Sequence, residues 1–531
     1  MRLLVAALAV IAFPIGVTAA AGKPYLAGGV GFFNVAFDVD SVDPGVASSS
    51  ISWQVEYATC AKLVNYADAP APDGSLLQNE VARKVLVSAD GLTYTFRLGT
   101  SFKFSPPSNE PVTAGSFKRA LDRVRDPALQ SPGQPFFTNV VSVASDGGQT
   151  LTIRLAHPSG DFLARLAMPF ACAIPADTPF QRQTLPLPSA GPYYISGYTP
   201  GYFPNGAPAP GRIILSRNPS YVGPRPANLD QILIETNVDN AITLAQIESG
   251  TADYAMSGLP VSDSYAYVAN AYPSQFFVNP LPGLHYLALN TSRPFFSTVA
   301  ARQAVNLAIN RTALLAQAGA FAGSPDDQYI PPGVPGYVDM NIYPLNGPSA
   351  ADLARANALV DQAGIRGQTA VLYTSTSPIA QGMASLVRDE LAQIGLGADI
   401  RSFPRGQQIL REGTLGEPFD IGVDGWINDY LDPANDLDSF FDGTTIGPSG
   451  NSDISYFNDP AVNARLRAAD QLTGAARYAA YGSLDADLAE NYAPLATVGT
   501  YNARDFFSAR IGCQTYVPAY GMDLAELCIK R

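Results

Sequence analysis

The sequence predicts a multidomain α/β fold, and three observations support this prediction. With 531 residues, the chain is longer than one ordinary hydrophobic core accommodates, so several domain-sized units are expected. Its first half contains pairs of alternating apolar segments separated by turn residues, as in β-hairpins. Its second half contains a strand–helix–strand pattern, as in a parallel sheet. Hydrophobic residues make up 47% and charged residues 15%, which is typical of a folded globular protein.

The N-terminal segment has the pattern of an export signal. Arg2 precedes an apolar run from Leu3 to Val17, and three alanines at 19–21 supply small residues for cleavage. The run is shorter than the 18 or more apolar residues of a membrane span, and no cysteine for a lipid anchor stands near it. The sequence therefore predicts a cleaved signal peptide over residues 1–21, a periplasmic location and no membrane insertion.

Charge and cysteine content limit the partners and the compartment further. The formal net charge of −13 argues against nucleic acid and anionic lipid as partners. Four cysteines in an oxidising compartment predict two disulfides. Proximity favours Cys513–Cys528, which leaves Cys60–Cys172, although four cysteines allow three connectivities.

Two hairpins are predicted in the first half. The first surrounds the turn Asp90-Gly91, with alternating apolar residues at Val85, Val87, Tyr94, Phe96 and Leu98. The second surrounds Asp146-Gly147-Gly148, with alternating apolar residues at Val141, Val143, Leu151, Ile153 and Leu155. Helical spacing over 116–125 lies between the two hairpins, and a third strand pair is predicted over 193–198 and 212–216.

The second half predicts helices joined to parallel strands. Ser377 is an expected N-cap followed by Pro378 at the first helical position, and Gly395 is the expected left-handed residue at the helix end. Short strands over 371–373 and 396–400 flank this helix, which makes a βαβ unit. Two further helices are predicted over 349–364 and from 459 onward.

The motifs of common catalytic and metal sites are absent from the sequence. His157 and His285 are the only histidines, and neither has a second ligand at metal-binding spacing. No nucleophile-elbow, phosphate-loop or dinucleotide motif occurs. We therefore expect a non-enzymatic protein without a metal or cofactor, although catalysis by paired carboxylates stays open.

The stretch from Glu417 to Asp442 holds eight carboxylates and no lysine or arginine. A buried strand predicted from Phe419, Ile421 and Val423 delivers three residues beyond its carboxyl end, namely Trp426, Asp429 and Tyr430. In open α/β sheets ligands bind at that edge, and a carboxylate beside aromatic rings suits an ammonium group. A solvated acidic loop is the alternative, and the spacing of the acidic residues disfavours a calcium loop.

A series of short motifs, in order over about 450 residues, resembles solute-binding protein family 5 of ABC importers, the dipeptide- and oligopeptide-binding group. The motifs lie at residues 42–44, 89–96, 102–104, 111–114, 191–193, 218–221, 225–230, 248–253, 287–291, 302–309, 330–333, 426–433 and 458–460. Each motif is weak alone, and their order makes the resemblance specific. The stretch 104–110 departs from the family's usual pattern, which affects the subclass rather than the fold.

The resemblance implies a periplasmic binding protein fold of three domains in two lobes, with hinge strands between the lobes and solute held between them. The implied boundaries are 22–57, 186–284 and 497–531 for the core of lobe 1, 58–185 for a small β-rich domain on lobe 1, and 285–496 for lobe 2. The implied role is to capture a peptide or related small solute and to deliver it to an ABC permease and ATPase. We expect a monomer.

The resemblance also assigns site residues. Asp429 falls on the family's acidic residue that receives a peptide's α-ammonium, and Trp426 and Tyr430 fall beside it. Ser48, Ser49 and Ser50 fall on a segment of the opposite lobe that faces the ligand, with a plain Ser-rich turn as the alternative. Val423 stands where a well-studied oligopeptide binder has a basic residue, which leaves Arg405 and Arg411 as cations for a ligand carboxylate.

Three other functions stay open at this point. The same fold binds metal chelates, sugars and other small molecules in members of the family. A binding protein that presents its ligand to a membrane sensor would have the same sequence features. The third is a secreted hydrolase with paired carboxylates.

Overall fold

The structure is a computed structural model that describes residues 9–11, 25–26, 28–260 and 262–530. Apart from Ala9–Ile11, the predicted signal peptide therefore lies outside the described residues. The chain divides into two compact units. Unit 1 comprises Met1–Phe277 and Asp505–Arg531, and unit 2 comprises Val278–Arg504. In the described part of the chain, no helix combines the length and the apolar character needed to cross a bilayer.

The strands are, in chain order, β1 (Ala9–Ile11), β2 (Tyr25–Leu26), β3 (Val30–Val35), β4 (Val64–Tyr66), β5 (Leu77–Asn79), β6 (Ala82–Val87), β7 (Thr93–Leu98), β8 (Val140–Ser145), β9 (Thr150–Leu155), β10 (Tyr193–Thr199), β11 (Gly211–Arg217), β12 (Gln231–Thr236), β13 (Tyr254–Ala255), β14 (Phe276–Leu289), β15 (Thr369–Ser375), β16 (Gly397–Phe403), β17 (Ile421–Ile427), β18 (Leu495–Phe506), β19 (Ile511–Gly512), β20 (Tyr516–Val517), β21 (Gly521–Met522) and β22 (Cys528–Lys530). Strands β14 and β18 each continue from one unit into the other.

The α-helices are, in chain order, α1 (Ser50–Thr59), α2 (Ala114–Arg125), α3 (Phe162–Leu166), α4 (Asn240–Glu248), α5 (Ser262–Ala271), α6 (Val299–Ala308), α7 (Arg311–Ala316), α8 (Ala350–Ala363), α9 (Pro378–Gln393), α10 (Arg405–Glu412), α11 (Ala434–Phe441), α12 (Pro460–Asp470) and α13 (Gly474–Asp487).

Unit 1 is built on two five-stranded sheets. One has the strand order β1-β6-β7-β9-β8, and the other has the order β10-β11-β12-β3-β13. The first is antiparallel throughout, whereas β3 in the second pairs in parallel with both β12 and β13. Unit 1 also contains a three-stranded sheet in the order β19-β22-β2 and the two-stranded sheets β20-β21 and β4-β5.

Both predicted hairpins form, because their turn residues supply the local geometry. Gly91 adopts a φ of +70° and Gly147 a φ of +79°, values that glycine adopts without strain. The Asp90 side chain accepts a hydrogen bond from the Leu92 backbone N–H at 3.0 Å, and Asp146 does the same for Gly148 at 2.8 Å. β6 pairs with β7, and β8 with β9, in antiparallel register.

One detail of the second hairpin differs from the prediction. Val141 and Val143 were expected on the same buried face, but Val141 is 57% exposed whereas Val143 is buried. The β8–β9 register shifts between Val140 and Ser142, so the buried pair is Val140 and Val143. A β-bulge inserts one extra residue and thereby reverses the alternation on one side of it.

The structure confirms both predicted disulfides. Cys60 pairs with Cys172 and Cys513 with Cys528, with Cα–Cα distances of 5.4 and 5.5 Å. The first joins the end of α1 to a segment 112 residues away in sequence, and the second closes a 15-residue loop at the C-terminus. Cross-links of this kind stabilise a fold mainly by restricting the unfolded chain.

Unit 2 is built on one sheet with the strand order β16-β15-β17-β14-β18. β15 is parallel to β16 and to β17, whereas β14 runs antiparallel to β17. The predicted βαβ unit is β15, α9 and β16, with Ser377 at the N-cap position of α9 and Gly395 at a φ of +75° after its end. The capping box of α8 forms between Ser349 and Asp352, as predicted.

One apolar cluster packs helices of unit 2 against its sheet. It joins α6, α8 and α9 to the sheet strands through side chains that include Val305, Val360, Val387, Ile421 and Val423. Because side chains alternate along a strand, the neighbouring residues of β17 face the opposite side of the sheet. Val423 is thus a core residue on the face opposite to that of Asp424 and Trp426.

Unit 2 also buries several carboxyl groups. Burial raises the pKa of Asp453 to about 8, and it raises the pKa values of Asp326, Asp485 and Glu390 to about 7. The charged form of each group is desolvated in the folded chain and hydrated in the unfolded chain. Between the ordinary pKa of an unfolded Asp or Glu, about 4, and these raised values, the folded protein therefore holds more protons than the unfolded protein.

We expect unit 2 to lose stability as the pH rises from about 4 to about 8, because groups with a raised folded-state pKa stabilise the fold only while they are protonated. The unfolding temperature, measured by calorimetry, should be several degrees lower at pH 8 than at pH 5, at about 2–4 °C per kcal/mol lost. Asp453→Asn should reduce this difference, because the amide cannot ionise. The Asn oxygen can still accept the hydrogen bond that Asp453 Oδ1 accepts from Ser455 at 2.7 Å. Asp399→Asn, at an exposed position, should leave the difference unchanged. An equal or higher unfolding temperature at pH 8 would contradict the prediction.

Candidate functional site

The candidate site lies where β17 ends and the chain turns into α11. The sequence analysis placed Trp426 beyond the end of the strand. In the structure Trp426 lies inside β17, where it is paired opposite Leu284 of β14. The ladder continues one residue past the strand, where the Asn428 backbone N–H donates to the Pro282 carbonyl at 2.8 Å. The loop 428–433 then brings the chain to α11.

The structure brings Asp429 and Trp426 together through a residue that the sequence analysis missed. The Oδ1 atom of Asn435 accepts hydrogen bonds from Trp426 Nε1 and from the Asp429 backbone N–H, both at 3.1 Å. The Asn435 side chain also hydrogen-bonds to the Asp429 carboxylate. Asn435, which is buried in the first turn of α11, therefore fixes the indole and the carboxylate relative to each other.

The only sequence signal for Asn435 is its position two residues after Pro433. Asn side chains at helix starts commonly bond to the backbone of the preceding loop. That tendency does not reveal that the same oxygen also receives the indole N–H of a residue nine positions earlier.

The Asp429 carboxylate is half-buried and has no basic partner. Among the described residues, no Lys, Arg or His nitrogen lies within ion-pair distance of it. Burial raises its pKa to about 6, and the hydrogen bond from Asn435 opposes this shift. At neutral pH this group is an ionised carboxylate whose charge no neighbour in unit 2 balances.

The aromatic residues of the site differ in exposure. Trp426 is half-buried, and its ring meets Phe440 edge-on at 5.6 Å, which leaves part of the indole accessible. Tyr430 is 4% exposed, so the structure places its ring in the packing of unit 2. Of the two aromatic residues predicted beside Asp429, Trp426 is the one with accessible surface.

The loop that carries Asp429 is held in place by buried polar contacts. Asn428 Nδ2 donates to Asp436 Oδ2 at 2.8 Å, and burial raises the pKa of Asp436 well above its usual range. Arg477 on α13 donates to Asp432 at 2.8 Å, and both side chains are almost fully buried. These contacts fix both ends of the loop, which limits the freedom of Asp429 between them.

The two predicted cations of the region both have carboxylate partners. Arg405 forms an ion pair with Asp424 on β17, and Arg411 pairs with Glu417 at 2.6 Å. α10, which carries both, packs against β17 with its polar side: Gln408 and Glu412 are buried, and Gln408 Nε2 donates to the Val423 carbonyl at 3.0 Å.

The predicted serines lie in unit 1 at the start of α1. Ser48 donates to the Asp40 carboxylate at 2.9 Å, and Ser49 caps α1 by accepting from the Ser52 backbone N–H. Partial burial works to raise the pKa of Asp40, but hydrogen bonds from Ser52, Ser48 and Ser49 outweigh it and lower that pKa. The Ser48 and Ser49 hydroxyls are thus engaged locally, whereas Ser50 is exposed. Their contact with a ligand stays a prediction.

One group of side chains in the described part of the chain brings three metal-ligating atoms within 4.8 Å of one another. It consists of Glu56, Cys60 and Cys172, all buried. Both cysteines belong to a disulfide, so their sulfurs are not thiolates that would bind a metal.

Comparison with known proteins gives consistent results. The sequence model of the family described as bacterial extracellular solute-binding proteins, family 5 (middle) matches residues 77–448, more than half of the chain. Glutathione-binding protein GsiB of Escherichia coli O1:K1 is 26% identical over 347 residues, which cover 64% of each chain. The protein thus spans about 64% of the length of this curated relative.

Solved structures share the fold over nearly the whole chain. Clavulanic acid biosynthesis oligopeptide binding protein 2 matches with a TM-score of 0.84 and 23% identity, covering 95% of this chain and 96% of its own. The periplasmic binding protein DppA from Helicobacter pylori, in complex with the peptide STSA, matches with a TM-score of 0.73 and 21% identity, covering 95% and 99%. The predicted α/β periplasmic binding protein fold is confirmed.

Proposed function

The chain belongs to the family 5 bacterial extracellular solute-binding proteins, and on this premise we propose that it captures a peptide or a related amine-bearing solute and delivers it to an ABC importer. The proposed receiver of the solute's ammonium group is Asp429. Trp426 and Asn435 complete the proposed site in unit 2.

The observation that carries this proposal is the unbalanced charge of Asp429. A half-buried carboxylate without a basic neighbour is costly to ionise, as its raised pKa of about 6 reflects. A cationic group of a solute would supply the missing partner and make a charge-assisted hydrogen bond in surroundings poor in water. The accessible part of the Trp426 ring would add a cation–π contact.

Asn435 would act as a positioning residue in this arrangement. Its oxygen holds the indole and the Asp429 backbone, and its side chain hydrogen-bonds to the carboxylate. A preorganised site needs no ordering of these side chains when the solute arrives, which favours affinity.

Export and delivery rest on other features of the chain. The leader pattern over residues 1–21 and two disulfides suit an oxidising compartment outside the cytoplasm. The relatives support a solute of peptide character, since one is a glutathione-binding protein and one structural neighbour is in complex with a tetrapeptide.

The affinity for amine-bearing peptides should rise roughly tenfold between pH 5 and pH 7. An ammonium group pairs with the ionised carboxylate, and the ionised fraction of a group with a pKa of about 6 rises from about one tenth to about nine tenths over this range. Calorimetric titration with a mixed tetra- and pentapeptide pool measures this change.

Two variants make the pH experiment specific. Asp429→Asn, which cannot ionise, should bind weakly and lose the pH dependence. Asn435→Ala should move the midpoint of the pH dependence above 6, because the Asn435 hydrogen bond favours the ionised carboxylate. A purely structural role of Asn435 would lower affinity without moving the midpoint. Equal wild-type affinity at both pH values would exclude Asp429 as the receiver.

A further inference from the structure

The basic residues of unit 2 are almost all committed to partners within the unit. Residues 278–504 contain no lysine and thirteen arginines. Eight of these arginines form ion pairs with carboxylates of the same unit, namely Arg293, Arg366, Arg388, Arg401, Arg405, Arg411, Arg465 and Arg477. Three more donate to backbone carbonyls, namely Arg302, Arg311 and Arg504.

The remaining basic groups of unit 2 do not change this pattern. Arg355 and Arg467 are exposed on α8 and α12. His285 is the histidine of this unit, and burial lowers its pKa to about 4, so it is neutral at physiological pH. Apart from Arg355 and Arg467, the basic side chains of residues 278–504 are thus ion-paired, bonded to backbone carbonyls or neutral, whereas the Asp429 carboxylate has no basic partner.

Arg405 pairs with a carboxylate on the strand that leads into the site. Its partner Asp424 lies on β17, two residues before Trp426, and the Asp424 side chain is 8% exposed. A solute carboxylate that took Arg405 from Asp424 would leave that buried carboxylate unpaired beside Glu412. Leaving a buried charge without its partner is unfavourable, so this exchange opposes binding.

Arg411 is held in a similar way. Its guanidinium pairs with Glu417 at 2.6 Å and lies 4.7 Å from the centre of the Phe403 ring. The two contacts orient the guanidinium toward its own unit, and a solute carboxylate would have to replace Glu417.

From this distribution of charge we infer that unit 2 recognises its solute by a cationic group alone and does not receive a carboxylate. The ligand class is a primary amine, which includes peptides whose C-terminal carboxylate is blocked. The inference rests on the proposed function, because it takes Asp429 as the receiver of the ammonium group.

The experiment compares one mixed tetrapeptide pool in three forms: free acid, C-terminal amide and N-acetylated free acid. Calorimetric titration at pH 7 should give affinities within threefold for the acid and the amide, and a loss of at least about a hundredfold for the N-acetylated form. Measurements in both 0.15 M and 0.5 M salt separate site recognition from attraction of the extra positive charge by the net charge of −13.

Four variants test the candidate carboxylate receivers of unit 2, namely Arg355→Gln, Arg405→Gln, Arg411→Gln and Arg467→Gln. The ratio of acid to amide affinity should stay near one in each. A wild-type preference of tenfold or more for the free acid overturns the inference, and loss of that preference in one variant names the arginine responsible. Such a preference, together with an intact requirement for the free amine, leaves the proposed function standing. Absence of binding by all three forms overturns both.

Discussion

Asp429→Ala is expected to weaken the binding of a mixed tetra- and pentapeptide pool by at least about a hundredfold, close to 3 kcal/mol. The side chain is half-buried and carries a charge that no neighbour in unit 2 balances. Removing one partner of a desolvated, hydrogen-bonded charge pair costs several kcal/mol, since the ammonium group of the solute would then be buried without a counter-charge. Calorimetric titration at pH 7 measures the loss.

The control for this prediction removes the same charge elsewhere in unit 2. Asp399→Ala, on the exposed edge of β16, changes the net charge equally and should leave the affinity unchanged. Unchanged affinity in the folded Asp429→Ala protein would remove Asp429 from the site.

Loss of binding in this variant should be separable from loss of folding. Because the folded-state pKa of Asp429 is raised to about 6, its ionisation opposes folding at pH 7. Replacing it should therefore not lower the unfolding temperature at pH 7. As for the other buried carboxyls of unit 2, ionisation of a group with a raised folded-state pKa lowers the stability of the fold.

Arg477→Met is expected to destabilise unit 2 by about 3–5 kcal/mol, since the buried Asp432 carboxylate loses the guanidinium that balances its charge. Arg477 and Asp432 are almost fully buried, and the guanidinium makes several hydrogen bonds to this carboxylate. For a unit of this size the unfolding temperature should fall by about 10 °C, as measured by calorimetry. The loop that carries Asp429 ends at Asp432, so binding should weaken as well.

Two variants distinguish the buried ion pair from a general effect of losing an arginine. Arg465→Met breaks the exposed pair with Asp487 and should cost less than about 1 kcal/mol. The double variant Arg477→Met with Asp432→Leu should recover most of the lost stability, because it also removes the buried carboxylate whose charge the guanidinium balanced. Equal losses for Arg477→Met and Arg465→Met would contradict a special role of the buried pair.

Local features of the fold could be predicted because they depend on neighbours in sequence. The Asp90-Gly91 and Asp146-Gly147-Gly148 turns, the capping box of Ser349 and the Gly395 terminus each depend on the φ, ψ and side-chain reach of a few adjacent residues. The prediction for Val141 was wrong, because the bulge depends on how β8 pairs with β9, and the sequence of one strand does not specify that register.

The sequence by itself determined the α/β class and the delivery of an acidic residue to the end of a buried strand, because periodicity and turn residues act over short distances. It favoured the disulfide pairing Cys513–Cys528 with Cys60–Cys172, which the structure then established. Only the tertiary structure decided which groups balance which charges: that Asn435 joins Trp426 to Asp429, that Asp424 and Glu417 hold Arg405 and Arg411, and that Asp429 has no basic partner in its unit. The physical reason is that the state of a charged side chain depends on groups within a few ångströms of it. Those groups come from strands and helices that lie far apart in the chain.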